Sequence, residues 1–221
     1  MLNKKQIRHC LDTMGEMFPD AHCELVHSNP FELVIAVLLS AQCTDNLVNK
    51  VTKELFKKYK TPEDYLAVPL EELQNDIRSI GLYRNKAKNI RNLCEMIIHE
   101  YNGEVPREHE ELVKLPGVGR KTANVVVSVA FNTPAIAVDT HVERVSKRLG
   151  FCRWKDSVLE VEKTLMRKVP KEEWSVTHHR MIFFGRYHCK AQNPQCDRCP
   201  LLDVCREGQK RMRKREKENA K

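Results

Sequence analysis

Residues 115–123 read Leu-Pro-Gly-Val-Gly-Arg-Lys-Thr-Ala, and this stretch decides the fold around it. Pro116 cannot continue a preceding helix, so one helix must end there. Gly117 and Gly119 allow backbone angles that are closed to other residues and let another backbone approach closely. The stretch therefore predicts a tight hairpin between two helices. Its N–H groups, with those of the new helix's first turn, converge on an anion site that binds phosphate and reads no sequence.

A packing turn is the alternative interpretation, in which the glycines only allow two helices to meet. Here Pro116, both glycines and two basic residues occur together, and this combination favours phosphate binding. The predicted phosphate-binding residues of the turn are Gly117, Val118, Gly119 and Arg120.

Lys121 lies in the first turn of the new helix and is a candidate nucleophile. A free lysine with a pKa of ~10.4 is unprotonated in roughly one molecule in two thousand at pH 7, so its pKa must fall before it attacks carbon. A helix N-terminus and partial burial both act in that direction, whereas a nearby carboxylate would oppose them. A solvated or phosphate-binding lysine is the alternative, and position alone favours it. Asp139 begins a further helix, as a plain N-cap or as a catalytic carboxylate.

The rest of the chain shows helical periodicity almost throughout. Residues 33–39 are apolar all round, which is typical of a helix at the centre of a core. No run alternates as a strand with hairpin turns, so we predict an all-α fold of two helical lobes with a seam at residues 132–134. The expected parts are a six-helix lobe with the hairpin over 22–132, and a second lobe from 1–21 and 133–221 with a cysteine loop at 186–205 and a basic tail at 206–221.

The charge of the chain is weak support for a nucleic-acid partner. It has 38 basic and 30 acidic residues, hence a net charge of +8. The tail, residues 206–221, contributes +5 of this, and the simplest interpretation of residues 210–221 is a solvated, disordered segment. The N-terminus lacks the apolar core of a signal peptide, and no apolar run is long enough to span a bilayer. We therefore expect no membrane partner and a location in the cytoplasm, associated with the nucleoid.

Four of the nine cysteines crowd into a short segment near the C-terminus, spaced Cys-x6-Cys-x2-Cys-x5-Cys. Four thiolates in one loop satisfy either tetrahedral zinc or one cubane cluster. Structural zinc more often uses two Cys-x2-Cys pairs, and only one is present, so the spacing favours iron–sulfur. A disulfide framework is a poor alternative in a reducing compartment. The candidate ligands are Cys189, Cys196, Cys199 and Cys205.

Three further stretches carry a family resemblance, together with the hairpin and the cysteine spacing. Residues 30–42 read Pro-Phe-Glu-Leu-Val-Ile-Ala-Val-Leu-Leu-Ser-Ala-Gln, 80–83 read Ile-Gly-Leu-Tyr, and 138–141 read Val-Asp-Thr-His. Over about residues 20–205 the chain resembles the endonuclease III family of helix–hairpin–helix DNA glycosylases. The resemblance implies a glycosylase for oxidised pyrimidines in duplex DNA that also cleaves abasic sites by β-elimination. It also implies a [4Fe–4S] cluster on the four cysteines.

The resemblance assigns roles to individual residues. Lys121 would attack the sugar C1′ and form a Schiff base, while Asp139 would assist deprotonation and stabilise positive charge on the sugar. Gln42 and Leu82 would fill the gap left by the extruded base, although a surface glutamine and a core leucine are the plainer alternatives. Asp45 and His141 would line the base pocket, and Cys43 departs from the small residue expected at its edge. The expected phosphate contacts of the cysteine loop are Arg186, Lys190 and Arg198.

Two other functions remain open from the residues. A glycosylase without lyase activity would resemble this motif, but such relatives lack a lysine at the position of Lys121. A non-catalytic helix–hairpin–helix module with a structural metal would bind DNA without cutting it. The expected partner is duplex DNA with a damaged base or an abasic site, and a monomer suffices. Arg84, Lys86 and Lys88 either reach phosphates or form a solvated face.

Overall fold

The computed structural model describes residues 1–219, and every regular element in them is helical, which confirms the predicted all-α fold. No helix in this range is long and apolar enough to cross a membrane. In chain order the helices are α1 (Lys4–Met17), α2 (Pro30–Ser40), α3 (Asp45–Lys58), α4 (Pro62–Ala67), α5 (Leu70–Asp76), α6 (Tyr83–Tyr101), α7 (His109–Leu112), α8 (Arg120–Ala130), α9 (Thr140–Leu149), α10 (Val158–Lys168), α11 (Trp174–Phe183) and α12 (Arg206–Asn219).

The chain divides into two compact units. One is Cys23–Thr133, and the other combines Met1–His22 with Pro134–Lys221. Each boundary falls one residue later than the sequence suggested. The unit formed by residues 23–133, all of which the structure describes, has seven helices rather than the expected six. The shortest of them is α7, a single turn before the hairpin.

The helix α2 forms the centre of the unit that contains the hairpin. Asn29 caps it by accepting a hydrogen bond from the Glu32 N–H at 2.9 Å, and Pro30 occupies its first turn, where a missing N–H costs nothing. All seven residues from Leu33 to Leu39 are buried. Neighbours on several sides, namely α3, α6 and α8, cover them, as expected for a helix that is apolar all round.

The second unit is built around α9 and α11, which pack against each other and against α1 or α12. Its core contains Met14 from α1, Val145 from α9 and Phe184 after α11, all fully buried. Asn3 begins α1 with a reciprocal capping box to Gln6, so local sequence alone fixes where this helix starts.

The cysteine loop begins later than predicted. Arg186, the expected start of the loop, lies inside a π-helical turn (Phe184–His188) that continues α11, and the Cys189 N–H donates to the Phe184 carbonyl at 2.6 Å. The extra residue per turn brings the Gly185 carbonyl to the Arg144 guanidinium, 2.7 Å away. A Cβ at Gly185 would lie 3.0 Å from the His141 Cβ, which explains the glycine. Single π turns of this kind are frequent at functional sites.

The basic tail is helical where the structure describes it, over Arg206–Asn219, so the expectation of disorder for residues 210–221 was wrong for residues 210–219. Ala220 and Lys221 lie outside the described residues. The first turns are anchored by contacts that charge composition cannot reveal. The Gln209 amide donates to the Leu202 and Asp203 carbonyls at 2.9 and 2.8 Å. Glu207 also pairs with Arg211 at 2.8 Å along the helix.

Candidate active site and cluster loop

The hairpin closes through short backbone hydrogen bonds. The Leu115 N–H donates to the Leu112 carbonyl at 3.1 Å, and the Val118 N–H donates to the Leu115 carbonyl at 3.0 Å. Val118 is buried, whereas Gly117, Gly119 and Arg120 are exposed. No side chain caps α8, because its N-cap is Gly119. The first N–H groups of α8 therefore stay available to an anion, as phosphate binding requires.

Gly117 is the glycine of the turn that no other residue can replace. Its φ is +80°, and a Cβ would lie 2.9 Å from the Leu38 Cδ1 and 3.0 Å from the Asn89 Cβ. We expect Gly117→Ala to lower the free energy of unfolding by about 1–3 kcal/mol and to weaken binding to undamaged duplex DNA. Thermal denaturation and a DNA titration measure the two effects.

Gly103→Ala is the matched control for this prediction. Gly103 has the same backbone conformation, with φ at +82°, but nothing lies within 4 Å of its added Cβ. It should therefore show the strain of a left-handed alanine without the collision or the loss of DNA affinity. Equal losses of stability and affinity in the two variants would contradict a special role of Gly117.

Lys121 is exposed in the first turn of α8 and makes no hydrogen bond or ion pair with residues 1–219. The partial burial expected from the sequence is not found, because the residues that α8 buries begin at Ala123. Burial raises the pKa of the Cys23 thiol; Asp45 raises it further, and Lys121 opposes the rise. Asp45 and Lys121 thus both act electrostatically on the same thiol, in opposite directions.

Asp139 is the N-cap of α9, and only one of its two carboxylate oxygens takes part in the cap. Its Oδ1 accepts from the His141 and Val142 N–H groups at 2.9 and 2.8 Å. Within the described residues, Oδ2 accepts no hydrogen bond. The two interpretations of Asp139 are therefore compatible, since capping orients the carboxylate and leaves one oxygen available.

His141 is half-buried beside this carboxylate. Its Nδ1 lies 3.1 Å from Arg144 Nη2, and a guanidinium can only donate, so Nδ1 accepts and Nε2 carries the proton. Burial lowers the pKa of His141, while Asp139 raises it and Arg144 and Arg186 lower it. The lowered pKa of His141 favours the neutral imidazole. His141 and Asp45, the two predicted pocket residues, belong to different compact units.

Gln42 and Leu82 share an unusual backbone conformation. Both are in the left-handed region, with φ of +56° and +59°, which costs a non-glycine residue about 1–2 kcal/mol. Gln42 is exposed, and Leu82 is 59% exposed. The structure therefore does not support a core role for Leu82. A Cβ at Gly81 would lie 3.8 Å from the Gln42 carbonyl oxygen, so the two loops are neighbours.

The four predicted cysteine ligands line one cavity, whose apolar walls include Leu149, Phe184 and Leu202. A zinc ion needs its thiolates at about 2.3 Å. No three His, Cys, Asp or Glu side chains in residues 1–219 are grouped closely enough to hold a single metal ion. The four thiols that line this cavity supply the number and the type of ligands that a cubane cluster needs. Two donors reach the sulfurs: the Gly208 N–H is 3.3 Å from Cys205 Sγ, and Arg148 Nη1 is 3.6 Å from Cys189 Sγ.

Two of the predicted phosphate contacts are exposed on this loop. Lys190 and Arg198 are both exposed, and Arg198 Nε donates to the Gln195 side chain at 3.2 Å. Arg186 differs from them, since it is half-buried in the π-helical turn and acts on His141.

Comparison with known proteins identifies the family. The model of the HhH-GPD superfamily base excision DNA repair proteins matches residues 35–171, and the model of the iron–sulfur binding domain of endonuclease III matches residues 189–205. Endonuclease III of Bacillus subtilis (strain 168) is 81% identical over 214 residues, which cover 97% of this chain and 98% of the relative. The chain belongs to the endonuclease III family. It therefore carries a [4Fe–4S] cluster.

Two further relatives agree with this assignment. Endonuclease III of Escherichia coli (strain K12) is 46% identical over 204 residues, covering 92% of this chain and 96% of the relative. A solved structure of a trapped endonuclease III–DNA covalent intermediate matches with a TM-score of 0.94 and 81% identity, covering 96% of this chain and all of that one.

Sequence reasoning missed three basic residues that organise the site. Arg144 donates to the Gly185 and Cys189 carbonyls at 2.7 and 3.2 Å, and Arg148 donates to the Lys190 and Ala191 carbonyls at 2.6 and 2.9 Å. Arg144 and Arg148 follow Thr140 at intervals of four residues along α9, which places them on one face of the helix. In the sequence, this spacing was the only sign of their role. The third is Lys86, expected at phosphates or on a solvated face but found buried at 5% exposure.

Proposed function

We propose that Lys121 and Asp139 carry out the chemistry of this base excision repair enzyme, a DNA glycosylase and abasic-site lyase, and that its damaged bases are oxidised pyrimidines. The observation that carries the proposal is the exposed amine of Lys121, without a partner in residues 1–219, in the first turn of a helix that no side chain caps. A hairpin that holds phosphate brings the sugar to the amine.

Lys121 attacks the sugar C1′, and the damaged base leaves. The covalent amine then forms a Schiff base with the ring-opened sugar, which acidifies the adjacent C2′ hydrogen and permits β-elimination of the 3′ phosphate. The same residue therefore accounts for both activities. At an abasic site no base has to leave: the amine condenses with the C1′ aldehyde with loss of water, and β-elimination follows from the same Schiff base.

Asp139 assists this reaction through its charge. Its Oδ1 is engaged by two N–H groups of α9, and its Oδ2 is available to stabilise positive charge on the sugar or to accept a proton from the lysine ammonium. A carboxylate fixed by a helix cap needs little reorganisation when charge develops, which is the condition for electrostatic catalysis.

The remaining site residues open the duplex and hold it. Leu82 wedges the base step, and Gln42 hydrogen-bonds the orphaned partner base. Asp45 and His141 contact the extruded base, His141 as a neutral donor. The proposed phosphate contacts are Gly117, Val118, Gly119, Arg120, Arg186, Lys190 and Arg198.

The cluster would be held by Cys189, Cys196, Cys199 and Cys205, which line one cavity. When bound, it supplies four iron–thiolate bonds that fix a loop too small for a core of its own. The residues around it do the rest: Arg148 ties the Lys190 backbone to α9, so that the exposed Lys190 and Arg198 project from a rigid loop. We further propose that the enzyme acts as a monomer in the cytoplasm, at the nucleoid.

Incubation with defined duplexes tests the function as a whole. Duplexes with thymine glycol, an abasic site or a mispaired adenine are reacted, and the products are resolved by size. We expect direct cleavage at thymine glycol and at the abasic site, and none at adenine. Base release without cleavage would favour a glycosylase that lacks lyase activity, and binding without either product would favour a non-catalytic module.

A further inference from the structure

Lys86 is a buried lysine on α6, and its ammonium has a defined set of partners. The side chain is 5% exposed, and Nζ donates to the Leu39 carbonyl at 2.9 Å and to the Ala41 carbonyl at 2.6 Å. Burial lowers the pKa of Lys86, as expected for an ammonium withdrawn from water. Burying a charge is expensive unless it is well bonded, so these two contacts compensate for a real cost.

Both acceptors lie where α2 ends and the Gln42 loop begins. Ala41 is the C-cap of α2, and the next residue, Gln42, has the left-handed backbone. The last turn of α2 contains no basic residue. Lys86 thus supplies, from another helix, the positive charge that stabilises a helix C-terminus. The ammonium holds two carbonyls within the three residues that precede Gln42.

The backbone of Lys86 holds the other loop. Leu82 is the N-cap of α6, and no side chain caps that helix end. The Lys86 N–H donates to the Leu82 carbonyl at 3.0 Å, which closes the first turn directly after the left-handed residue. One residue is therefore bonded to both exposed loops, through its backbone to Leu82 and through its side chain to the chain before Gln42.

We infer that Lys86 is a positioning residue for base extrusion, which holds Gln42 and Leu82 in one fixed arrangement so that both enter the duplex together. The inference rests on the proposed roles of those two residues. Without this link, the two strained loops would relax independently of each other. The insertion of each side chain into the duplex would then carry a separate entropic cost of ordering. Removal of the ammonium should slow base release more than cleavage at an abasic site, where no base remains to be extruded.

Lys86→Met tests this inference, because methionine keeps the length of the side chain and removes the donors. Single-turnover rates are measured on a thymine glycol duplex and on a duplex with a preformed abasic site. We expect base release to fall about tenfold or more and abasic-site cleavage to fall less than about threefold. Fluorescence of 2-aminopurine placed beside the lesion should show slower unstacking. Lys86→Gln, which keeps a donor, should show the same selective loss at a smaller size.

Arg91→Met is the matched control for a merely structural role. Arg91 lies on the same helix and donates to the Val68 and Leu66 carbonyls at 2.6 and 3.4 Å, an equivalent bond to a helix end far from both loops in sequence. We expect it to lower thermal stability while the ratio of the two rates stays as in the wild type. The inference would be overturned if Lys86→Met and Lys86→Gln slowed base release and abasic-site cleavage by the same factor, so that the ratio of the two rates stayed at its wild-type value.

A double-mutant cycle separates this inference from the function it rests on. Gln42→Ala and Leu82→Ala are combined in the wild type and in Lys86→Met, and base release is measured. We expect the two effects to be coupled in the wild type and additive without Lys86. If neither single variant slows base release, the proposed roles of Gln42 and Leu82 fail. If both do but coupling persists in Lys86→Met, only the inference fails.

Discussion

Replacing Lys121 by alanine is expected to abolish the cross-link that borohydride traps between the protein and abasic DNA. The same variant should lose strand cleavage by on the order of 10⁴-fold or more, since the nucleophile that forms the intermediate is gone. Denaturing electrophoresis of the trapped complex and of the cleaved strand measures both effects. Folding should be unaffected, because the side chain is exposed and bonds to no residue in 1–219.

Two other variants show whether the loss is specific. Lys114→Ala removes an exposed lysine that precedes the same hairpin and pairs with Glu111 at 2.7 Å, and it should leave trapping unchanged. Asp139→Asn keeps an Oδ1 acceptor for the cap of α9 and removes the charge, so the cross-link should form about 10²–10⁴-fold more slowly. Trapping that survives Lys121→Ala would disprove the assignment.

Much of the fold was predictable because its signals are local. The apolar stretch Leu33–Leu39 indicated a central helix, and all seven of its residues are buried. The same holds for α9, where Asp139 is the cap that its position suggested. In each case the residues that determine the element lie within one or two turns of it, so no knowledge of the tertiary structure is required.

The parts that sequence could not supply depend on partners that are distant along the chain. Lys86 and Ala41 are 45 residues apart, and Arg148 and Cys189 are 41 apart, so periodicity shows a lysine and an arginine without their acceptors. The π-helical turn has the same origin, because Arg144 binds the Gly185 carbonyl that the turn exposes. A lysine that reads as a surface charge becomes a buried one only through its neighbours.

Loss of the cluster should have the second largest effect. The wild-type protein is expected to be yellow-brown, with broad absorption in the visible range. Cys199→Ser removes one of the four thiols that line the cavity, and we expect the colour and the iron content to be lost. The unit formed by residues 1–22 and 134–221 should then unfold at a lower temperature, because metal binding energy is also folding energy. Absorption spectra, iron analysis and thermal denaturation measure these changes.

Cys152→Ser is the matched control for this loss. Cys152 is a buried cysteine of the same unit, at 3% exposure, and burial raises its pKa to about 11, so it behaves as a small apolar side chain. The variant should lose about 1–3 kcal/mol of stability through a buried hydroxyl and should keep its colour.

The cluster loop also links stability to DNA binding. Arg148 can hold the Lys190 and Ala191 carbonyls only while the loop keeps its path, so Cys199→Ser should also weaken binding to duplex DNA and reduce its salt dependence. The loss should exceed that of Lys190→Ala, since Arg198 is displaced with Lys190. A colourless zinc-containing protein that is fully folded and active would overturn the cluster assignment, and a Cys199→Ser variant with wild-type DNA affinity would separate the loop from DNA binding.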